Sequence, residues 1–414
     1  MMERSRGCLY IAIIVSLFLL IAVVAVGIIR GRSDNNQTTY PHDILTQGDS
    51  SKGKSRLDAI TDLSFERVSR TALKLIWSDD QDENAEKYLV YRRSVLNDGE
   101  WEQIASVLSD GVADMISHQY DDILPSDSIQ QLEYRIDVVS HEQNTAQGIP
   151  IIASNLLVCI DPGHYLKSSE LRGEDLYGYG EGLFMLKLAI TLKETLLNSY
   201  GISCVLTRET NDISIGGYTN GDLDNSHISL RGEYAQGSDL FLSLHTNANQ
   251  DDANGYPTCN QPLSINKTVV FVNQVAKSSQ QYIQVANEIG QRLSTANYRL
   301  GLATTEHFVG ASISEVHDWS DEFNDALNEP GAVCFRPGEH GDDYYGVLRG
   351  AALVGVPGLI VEHGFHTVAE IRRAAMESDL ADRWSEADAG GITEAFGFYP
   401  METLNKANYT ATDG

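Results

Sequence analysis

Residues 155–164 read NLLVCIDPGH, a short apolar run that ends in an Asp-Pro-Gly turn and a histidine. Further along the chain, similar apolar runs alternate with stretches of helical periodicity, such as residues 182–200 and 278–296. Strands that alternate with helices form mostly parallel sheets that are covered on both faces. We therefore predict an α/β domain over residues 153–400, with a mostly parallel sheet flanked by helices, and a short tail over 401–414.

Four polar side chains stand where these predicted elements end or begin. His164 follows the run LLVCI, His245 follows DLFLSL and Glu362 follows PGLIV, while Glu181 opens a helix after a Gly-rich stretch. Ligands of open α/β folds gather at the carboxyl ends of the strands. Three strand ends and one helix start are therefore predicted to meet in one cleft.

The chemistry of these four side chains favours a zinc site. Two imidazoles and one carboxylate suit zinc and leave one coordination position for water, so His164, Glu181 and His245 are candidate ligands. A further carboxylate that does not bind the metal can take a proton from that water, which is the role predicted for Glu362. Glu181 is the least specific of the four, because nearby acidic residues offer the same chemistry: Glu170, Glu174 and Asp175.

Seven motifs carry a family resemblance, and they occur in this order: IDPGH (160–164), GEG (180–182), LTR (206–208), LRGEYA (230–235), LFLSLHTNA (240–248), YYGVLRGA (344–351) and LIVEHGF (359–365). The set resembles the zinc-dependent N-acetylmuramoyl-L-alanine amidases, the catalytic family found in cell-division and sporulation amidases, over about residues 155–398.

The resemblance implies that His164, Glu181 and His245 are zinc ligands and that Glu362 is the catalytic carboxylate. It also implies that the substrate is peptidoglycan, cut at the amide between the lactyl group of N-acetylmuramic acid and L-alanine. Two alternatives remain open. One is a catalytically silent peptidoglycan-binding protein, and the other is a zinc peptidase that cuts the stem peptide.

The chain departs from the family pattern beside the predicted site. Tyr165 stands where the family usually has Gly, Gly182 where it usually has Lys, and residues 366–368 replace a turn that ends in Asn. Residues 303–340 also exceed the usual connection, and we interpret them as an exposed acidic loop, with a lid over the site as the alternative. Three further residues are candidates for substrate binding: Asn247, His363 and His366. Arg231 is predicted to form a structural ion pair.

Residues 58–152 differ in character, with short alternating runs separated by polar turns. This pattern predicts an all-β sandwich. Trp77, Tyr88, Tyr91 and Tyr134 give it a resemblance to a fibronectin type III module. A plain spacer is favoured over a wall-binding module, because a fold does not imply a function.

Residues 1–32 contain an uncharged apolar run from Leu9 to Ile29. As a helix at about 1.5 Å per residue, it is long enough to cross a bilayer. A cleavable signal peptide, which would yield a secreted form, is the alternative, although its apolar core is normally shorter. We predict a single-pass membrane anchor, a flexible linker over 33–57 and an extracytoplasmic catalytic domain.

The composition of the chain limits the kinds of partner that it can bind. The chain has 30 Lys+Arg against 58 Asp+Glu, a formal net charge of -28, which argues against binding nucleic acid. The five cysteines include no CxxC pair, so a thiolate zinc site has no support. Cys259 and Cys334 could pair in an oxidising compartment, but sequence does not fix disulfide geometry. A protein activator is conceivable, and nothing in the sequence identifies one.

Overall fold

The computed structural model describes residues 57–78, 84–95, 99–109, 117–166, 178–248, 260–319 and 330–402. All of them belong to one compact unit, residues 55–414. The predicted anchor over 9–29 and nearly all of the predicted linker lie outside these ranges. Within the described ranges, no helix is long and apolar enough to cross a membrane.

The N-terminal part of the unit consists of two antiparallel sheets, with strand orders β1-β2-β5 and β4-β3-β6-β7, where β8 also pairs with β6. Trp77, Tyr88 and Tyr134 lie in the apolar core that the two sheets share. This agrees with the predicted all-β sandwich, whereas the fibronectin type III resemblance stays a prediction. The strands are β1 (Ser64–Ser69), β2 (Ala72–Ser78), β3 (Ala85–Ser94), β4 (Glu102–Leu108), β5 (Ser117–Ile123), β6 (Gln131–Ser140), β7 (Thr145–Ala146) and β8 (Ile151–Ser154).

The α/β part is built on an eight-stranded sheet of order β10-β9-β13-β18-β14-β17-β15, with β16 paired to β17. The pair β14–β18 is antiparallel and the others are parallel, as predicted for a mostly parallel sheet. The strands are β9 (Leu157–Pro162), β10 (Ser203–Leu206), β13 (Leu240–Asn247), β14 (Val269–Val272), β15 (Phe308–Val309), β16 (His317–Asp318), β17 (Gly331–Phe335) and β18 (Gly358–Phe365). A small separate hairpin is formed by β11 (Ser214–Ile215) and β12 (Tyr218–Thr219).

Helices cover both faces of this sheet. One core packs the long helices α1, α5 and α8 against one face, and a second core packs α6 against the other. The described helices are α1 (Glu181–Tyr200), α2 (Gly221–Asp224), α3 (Ser229–Glu233), α4 (Gln274–Lys277), α5 (Gln280–Arg299), α6 (Gly346–Leu353), α7 (Ala369–Glu377) and α8 (Leu380–Phe396), with a 3₁₀ turn at Leu263–Ile265.

Helices α3 and α6 touch backbone to backbone. A Cβ atom on Gly232 would lie 1.9 Å from the carbonyl oxygen of Val347, and one on Gly350 would lie 1.9 Å from that of Ser229. Neither distance leaves room for a side chain. Both glycines belong to the motifs LRGEYA and YYGVLRGA, so this contact explains part of what those motifs encode.

The prediction that residues 303–340 form an exposed loop is wrong for part of the segment. β15, β16 and β17 extend the main sheet at its edge, and every residue of β17 is buried. The reason is local, because GAVCF is an apolar run that pairs in parallel with β14. Cys334 of this strand is buried and free, and Cys259 lies outside the described residues.

The sandwich is joined to the α/β part by polar contacts, most of them buried. The side chain of Gln131, at the start of β6, donates to the carbonyl oxygens of Tyr200 (3.0 Å) and Tyr399 (2.9 Å) and accepts from the amide of Tyr399 (2.9 Å). Arg67 and Arg70 both pair with Asp239, at 3.2 and 2.7 Å. These contacts tie strand β6 and strand β1 to the α/β part of the unit.

We predict that Gln131→Ala lowers the free energy of unfolding by about 1–3 kcal/mol, because it leaves buried backbone groups without partners. Urea denaturation of the purified protein measures this. Gln119→Ala, on an exposed position of β5, is the matched control and should change stability by less than about 0.5 kcal/mol. Equal losses in the two variants would contradict the role given to Gln131.

A turn after β17 leads the chain back to α6. The amide of Tyr344 donates to the carbonyl oxygen of Arg336 (3.1 Å), and Pro337 and Asp343 form an antiparallel bridge. The Asp343 carboxylate, only 3% exposed, accepts from the amide of Gln274 at the start of α4 (3.1 Å). Burial raises the pKa of Asp343 to about 6.

The raised pKa predicts a pH-dependent stability. Folding favours the protonated carboxyl, so between about pH 4 and pH 6 stability falls as the pH rises. Asp343→Asn keeps an acceptor oxygen without a charge. We expect this variant to melt at a higher temperature than the parent at pH 7.5, and the difference should vanish at pH 3.5. A variant that is less stable at pH 7.5 would show that the charge is needed.

Candidate active site

His164, Glu181 and His245 meet at the carboxyl edge of the sheet. Nε2 of His164 lies 3.5 Å from Oε2 of Glu181, and Nδ1 of His245 lies 3.2 Å from Oε1 of the same carboxylate. One ligand atom from each of the three side chains falls within 4.8 Å of the others. The structure thus brings together the three residues that the strand ends and the helix start indicated. Glu170, Glu174 and Asp175 lie outside the described residues.

Local backbone geometry orients His164. Its φ is +58°, in the left-handed region that non-glycine residues seldom adopt. The buried guanidinium of Arg208 holds the turn by donating to the carbonyl oxygens of Pro162 (3.2 Å) and Gly163 (3.1 Å), and to that of Gly182 (2.6 Å). Arg208 therefore ties the turn after β9 to the start of α1, where Glu181 lies.

A buried network of ion pairs fixes the orientation of the His164 ring. Nδ1 of His164 lies 3.1 Å from Oδ2 of Asp224, whose Oδ1 accepts from Arg231 (2.8 Å). Arg231, 2% exposed, also donates twice to Asp161 (3.0 and 2.9 Å). Because the Asp224 carboxylate accepts a hydrogen bond from Nδ1–H, the lone pair of His164 Nε2 faces the cluster. The structural ion pair predicted for Arg231 is present.

Electrostatics favour a negative Glu181. Burial opposes its ionisation, but His164 and the contact with His245 outweigh that cost and hold the pKa of Glu181 below its usual range. Burial likewise opposes the charged form of His245, yet its contact with Glu181 and the charge of Glu362 raise its pKa. The amide of Thr246 donates to Glu181 Oε1 (2.9 Å) and fixes the carboxylate.

Glu362 lies beside His245, since the two residues are register partners on the adjacent parallel strands β18 and β13. Side chains alternate along a strand. Ile360 packs in the core beneath α6, whereas Val361 packs in the core beneath α1, so Glu362 faces the α6 side of the sheet. Phe241 belongs to the α6 side too, which places His245 on the same face as Glu362.

The three predicted substrate-binding residues have different surroundings. His363 is fully buried, with Nε2 2.9 Å from Asp388 and its ring stacked on Trp384, which favours a supporting role over contact with substrate. His366 is also buried, and its Nδ1 donates to the carbonyl oxygen of Thr246 (3.0 Å) and lies 3.8 Å from Glu181. Asn247, at the end of β13, is partly exposed.

The departures from the family pattern at Tyr165 and Gly182 are in contact with each other. A Cβ atom on Gly182 would lie 2.7 Å from the carbonyl oxygen of Tyr165. A lysine at position 182 would therefore collide with the backbone that follows His164. The two departures therefore meet where α1 begins.

The turn that leads into α6 carries aromatic and cationic groups. Tyr345 is the residue just before α6, and the centre of its ring lies 4.8 Å from that of Phe271. Burial, and then the nearby carboxylate of Glu362, raise the pKa of Tyr345, against a hydrogen bond from Arg336. The guanidinium of Arg336 lies 3.9 Å from the centre of the Tyr344 ring.

The cluster fits a zinc ion. Its donor set is two imidazoles and one carboxylate, and His164 is held by a second contact, from Nδ1 to Asp224. Sequence reasoning missed the supporting residues Asp224 and Arg208. Their only signal is that they stand in or near short motifs, since buried ion pairs across long sequence separations have no fixed spacing.

Fold and cluster together describe an α/β protein with a polar cleft at the sheet's carboxyl edge, where three side chains could hold a metal ion. The profile of the family described as N-acetylmuramoyl-L-alanine amidase matches residues 158–394. This match spans more than half of the chain, and the chain therefore belongs to that family of hydrolytic enzymes. No curated protein matches the sequence significantly.

Several solved structures are similar to this chain. The catalytic domain of CwlV, an amidase from Bacillus (Paenibacillus) polymyxa var. colistinus, is 19% identical with a TM-score of 0.38, covering 58% of this chain and 98% of that one. AmiC2 of Nostoc punctiforme is 19% identical with a TM-score of 0.37, covering 59% and 99%. The CwlD amidase from Clostridioides difficile, in complex with the GerS lipoprotein, is 13% identical with a TM-score of 0.38, covering 59% and 99%.

We predict that Asp224→Asn weakens zinc binding by about 10–100-fold, as loss of a partner of a ligating histidine typically does. The amide that replaces the carboxylate can turn its N–H group toward His164 Nδ1 or toward Arg231. In either orientation it loses one of the two contacts that the carboxylate makes. Competition with a metal chelator measures the affinity. Asp222→Asn, exposed on the same helix, is the matched control. Equal affinities in both variants would contradict the support given to His164.

Proposed function

We propose that this protein hydrolyses the amide bond between the lactyl group of N-acetylmuramic acid and L-alanine in peptidoglycan. The observation that carries the proposal is the convergence of His164, Glu181 and His245 beside Glu362, inside a segment that matches the amidase family. His164, Glu181 and His245 would hold the zinc ion, and Glu362 would act as the general base.

Each side chain has a distinct task in this proposal. A zinc ion bound by the cluster supplies Lewis acidity, which favours attack on an amide carbonyl at neutral pH. Glu362 accepts the proton of the attacking water and passes it to the leaving amine of L-alanine. Asp224 keeps His164 in one tautomer, and Thr246 keeps the Glu181 carboxylate in place.

The location of Glu362 supports its role. It stands next to His245 on the same face of the sheet, yet it is not one of the three clustered side chains. A carboxylate that bound the metal would lose the basicity that proton transfer needs. Glu362 therefore lies beside the cluster without being part of it, which suits a group that carries a proton.

We predict that Glu362→Gln lowers kcat by about 100–10,000-fold while the zinc content stays stoichiometric. The amide has the shape of the carboxylate but cannot accept the proton. Clearance of purified peptidoglycan measures activity, and elemental analysis measures zinc. His164→Ala is the comparison variant, and it should lose both zinc and activity. Full activity in Glu362→Gln would remove Glu362 from the mechanism.

Fragment analysis separates the two alternatives from this proposal. An amidase releases peptides that begin with a free L-alanine amino terminus, whereas a stem-peptide peptidase leaves L-alanine attached to the sugar. A silent binding protein would bind peptidoglycan and release no fragments. Mass spectrometry of the digestion products therefore decides among the three.

We propose that residues 9–29, which lie outside the described residues, anchor the protein in a membrane. We also propose that the catalytic part lies outside the cytoplasm. The support is the uncharged apolar run itself. A protein activator remains without an identified candidate. We propose that the sandwich acts as a spacer fixed to the catalytic part.

A further inference from the structure

Helix α1 exposes a row of side chains that we call the α1 stripe: Leu183, Lys187, Ile190, Glu194 and Leu197. Its three aliphatic members, Leu183, Ile190 and Leu197, are 44%, 38% and 42% exposed, and each follows the previous one by seven residues. Because an α-helix turns once every 3.6 residues, this spacing keeps them on one side of the helix. The stripe therefore lies opposite the residues of α1 that pack into the core.

The exposed surface of the neighbouring helix α8 is different. The two helices are adjacent, since the hydroxyl groups of Thr195 and Ser385 lie 3.4 Å apart. The exposed residues of α8 are all charged: Asp382, Arg383, Glu386 and Glu394. Single exposed aliphatic residues are common on protein surfaces, whereas a contiguous apolar row is typical of a surface that contacts another molecule. The α1 stripe is therefore a candidate contact surface.

The two charged members of the stripe stand on either side of its centre. Lys187 lies three residues before Ile190, and Glu194 lies four residues after it. Seven residues span about 10 Å along a helix, so Lys187 and Glu194 of one chain are too far apart to pair with each other. Within the described part of the chain neither forms an ion pair, whereas the nearby Lys193 pairs with Glu209 at 2.8 Å.

These positions make the α1 stripe complementary to itself. In an antiparallel pair of α1 helices, a two-fold axis between positions 190 and 191 brings Lys187 of each copy level with Glu194 of the other copy. The same axis sets the two Ile190 side chains beside each other, and it brings Leu183 to within about 1.5 Å of the level of Leu197 along the helix. A parallel pair would instead set lysine level with lysine and glutamate level with glutamate, which is repulsive.

We propose that the α1 stripe binds a second copy of this chain, with the two α1 helices antiparallel. The complementary charges favour a second copy over another protein, because one chain supplies both members of each ion pair. The pairing puts the Glu181 residues of the two copies, and with them the two candidate active sites, about 28 Å apart along the helix axis. The proposal is independent of the proposed function, since no residue of the stripe belongs to the His164, Glu181 and His245 cluster.

Sedimentation of the full-length protein over a range of concentrations tests the surface. We expect a monomer–dimer equilibrium for the parent. Ile190→Glu should raise its Kd by about 10-fold or more, because two carboxylates then meet at the two-fold axis. Leu353→Glu, at an exposed aliphatic position of α6, is the matched control and should leave the Kd unchanged. A parent that stays monomeric, or an Ile190→Glu variant that associates like the parent, would overturn the proposal.

Charge reversals test the antiparallel pairing. Lys187→Glu and Glu194→Lys should each raise the Kd by about 10-fold, because each change makes both attractive pairs of the dimer repulsive. The double variant Lys187→Glu/Glu194→Lys restores both pairs with the signs exchanged, so its Kd should return to within about 3-fold of that of the parent. A double variant that associates as weakly as the single variants would overturn the pairing.

Cysteine substitutions report the orientation of the two helices. Ile190→Cys puts two thiols beside the two-fold axis, and copper-catalysed air oxidation should join them into a covalent dimer. Leu183→Cys puts its two thiols about 22 Å apart along the axis, too far for a disulfide, but it should cross-link to Leu197→Cys when the two variants are mixed. The parent, with its native cysteines, gives the background. Leu183→Cys that cross-links to itself more readily than to Leu197→Cys would overturn the antiparallel arrangement.

Discussion

The ion network of Asp161, Arg231 and Asp224 is the constraint on which the rest of the site depends. Arg231 joins the end of β9 to helix α2, and Asp224 then sets the tautomer and direction of His164. A buried ion pair is weak evidence for net stability, but removing one partner leaves an uncompensated charge and typically costs about 3–5 kcal/mol. The network therefore specifies one arrangement of the site more than it strengthens the fold.

The two faces of the main sheet carry different sets of side chains. Alternation along β18 sends Glu362 to the face covered by α6 and the neighbouring His363 to the face covered by α1 and α8. His363 there binds Asp388 and stacks on Trp384, inside the largest apolar core. Adjacent residues of one motif thus lie on opposite faces of the sheet, with Glu362 on the side of the proposed reaction and His363 in the core.

Much of this could be predicted from the sequence, because its strongest signals are local. Apolar runs that end at His164, His245 and Glu362 indicate both the strands and the sheet edge at which they meet. The run GAVCF was missed as a strand because it lies in an acidic segment whose overall composition resembles a loop. Asp224 and Arg208 could not be predicted, since their partners are far along the chain and ion pairs have no periodicity. The contact of Gly182 with the Tyr165 backbone likewise depends on tertiary structure.

The backbone contact at Gly232 and Gly350 has an evolutionary consequence. Any side chain at either position would force α3 and α6 apart, so selection for folding alone keeps both glycines. A descendant that had lost catalysis would retain the repeated Leu-Arg-Gly triplets while residues 164, 181, 245 and 362 drifted. The triplets therefore mark descent from this fold, and only the four polar positions mark the proposed chemistry.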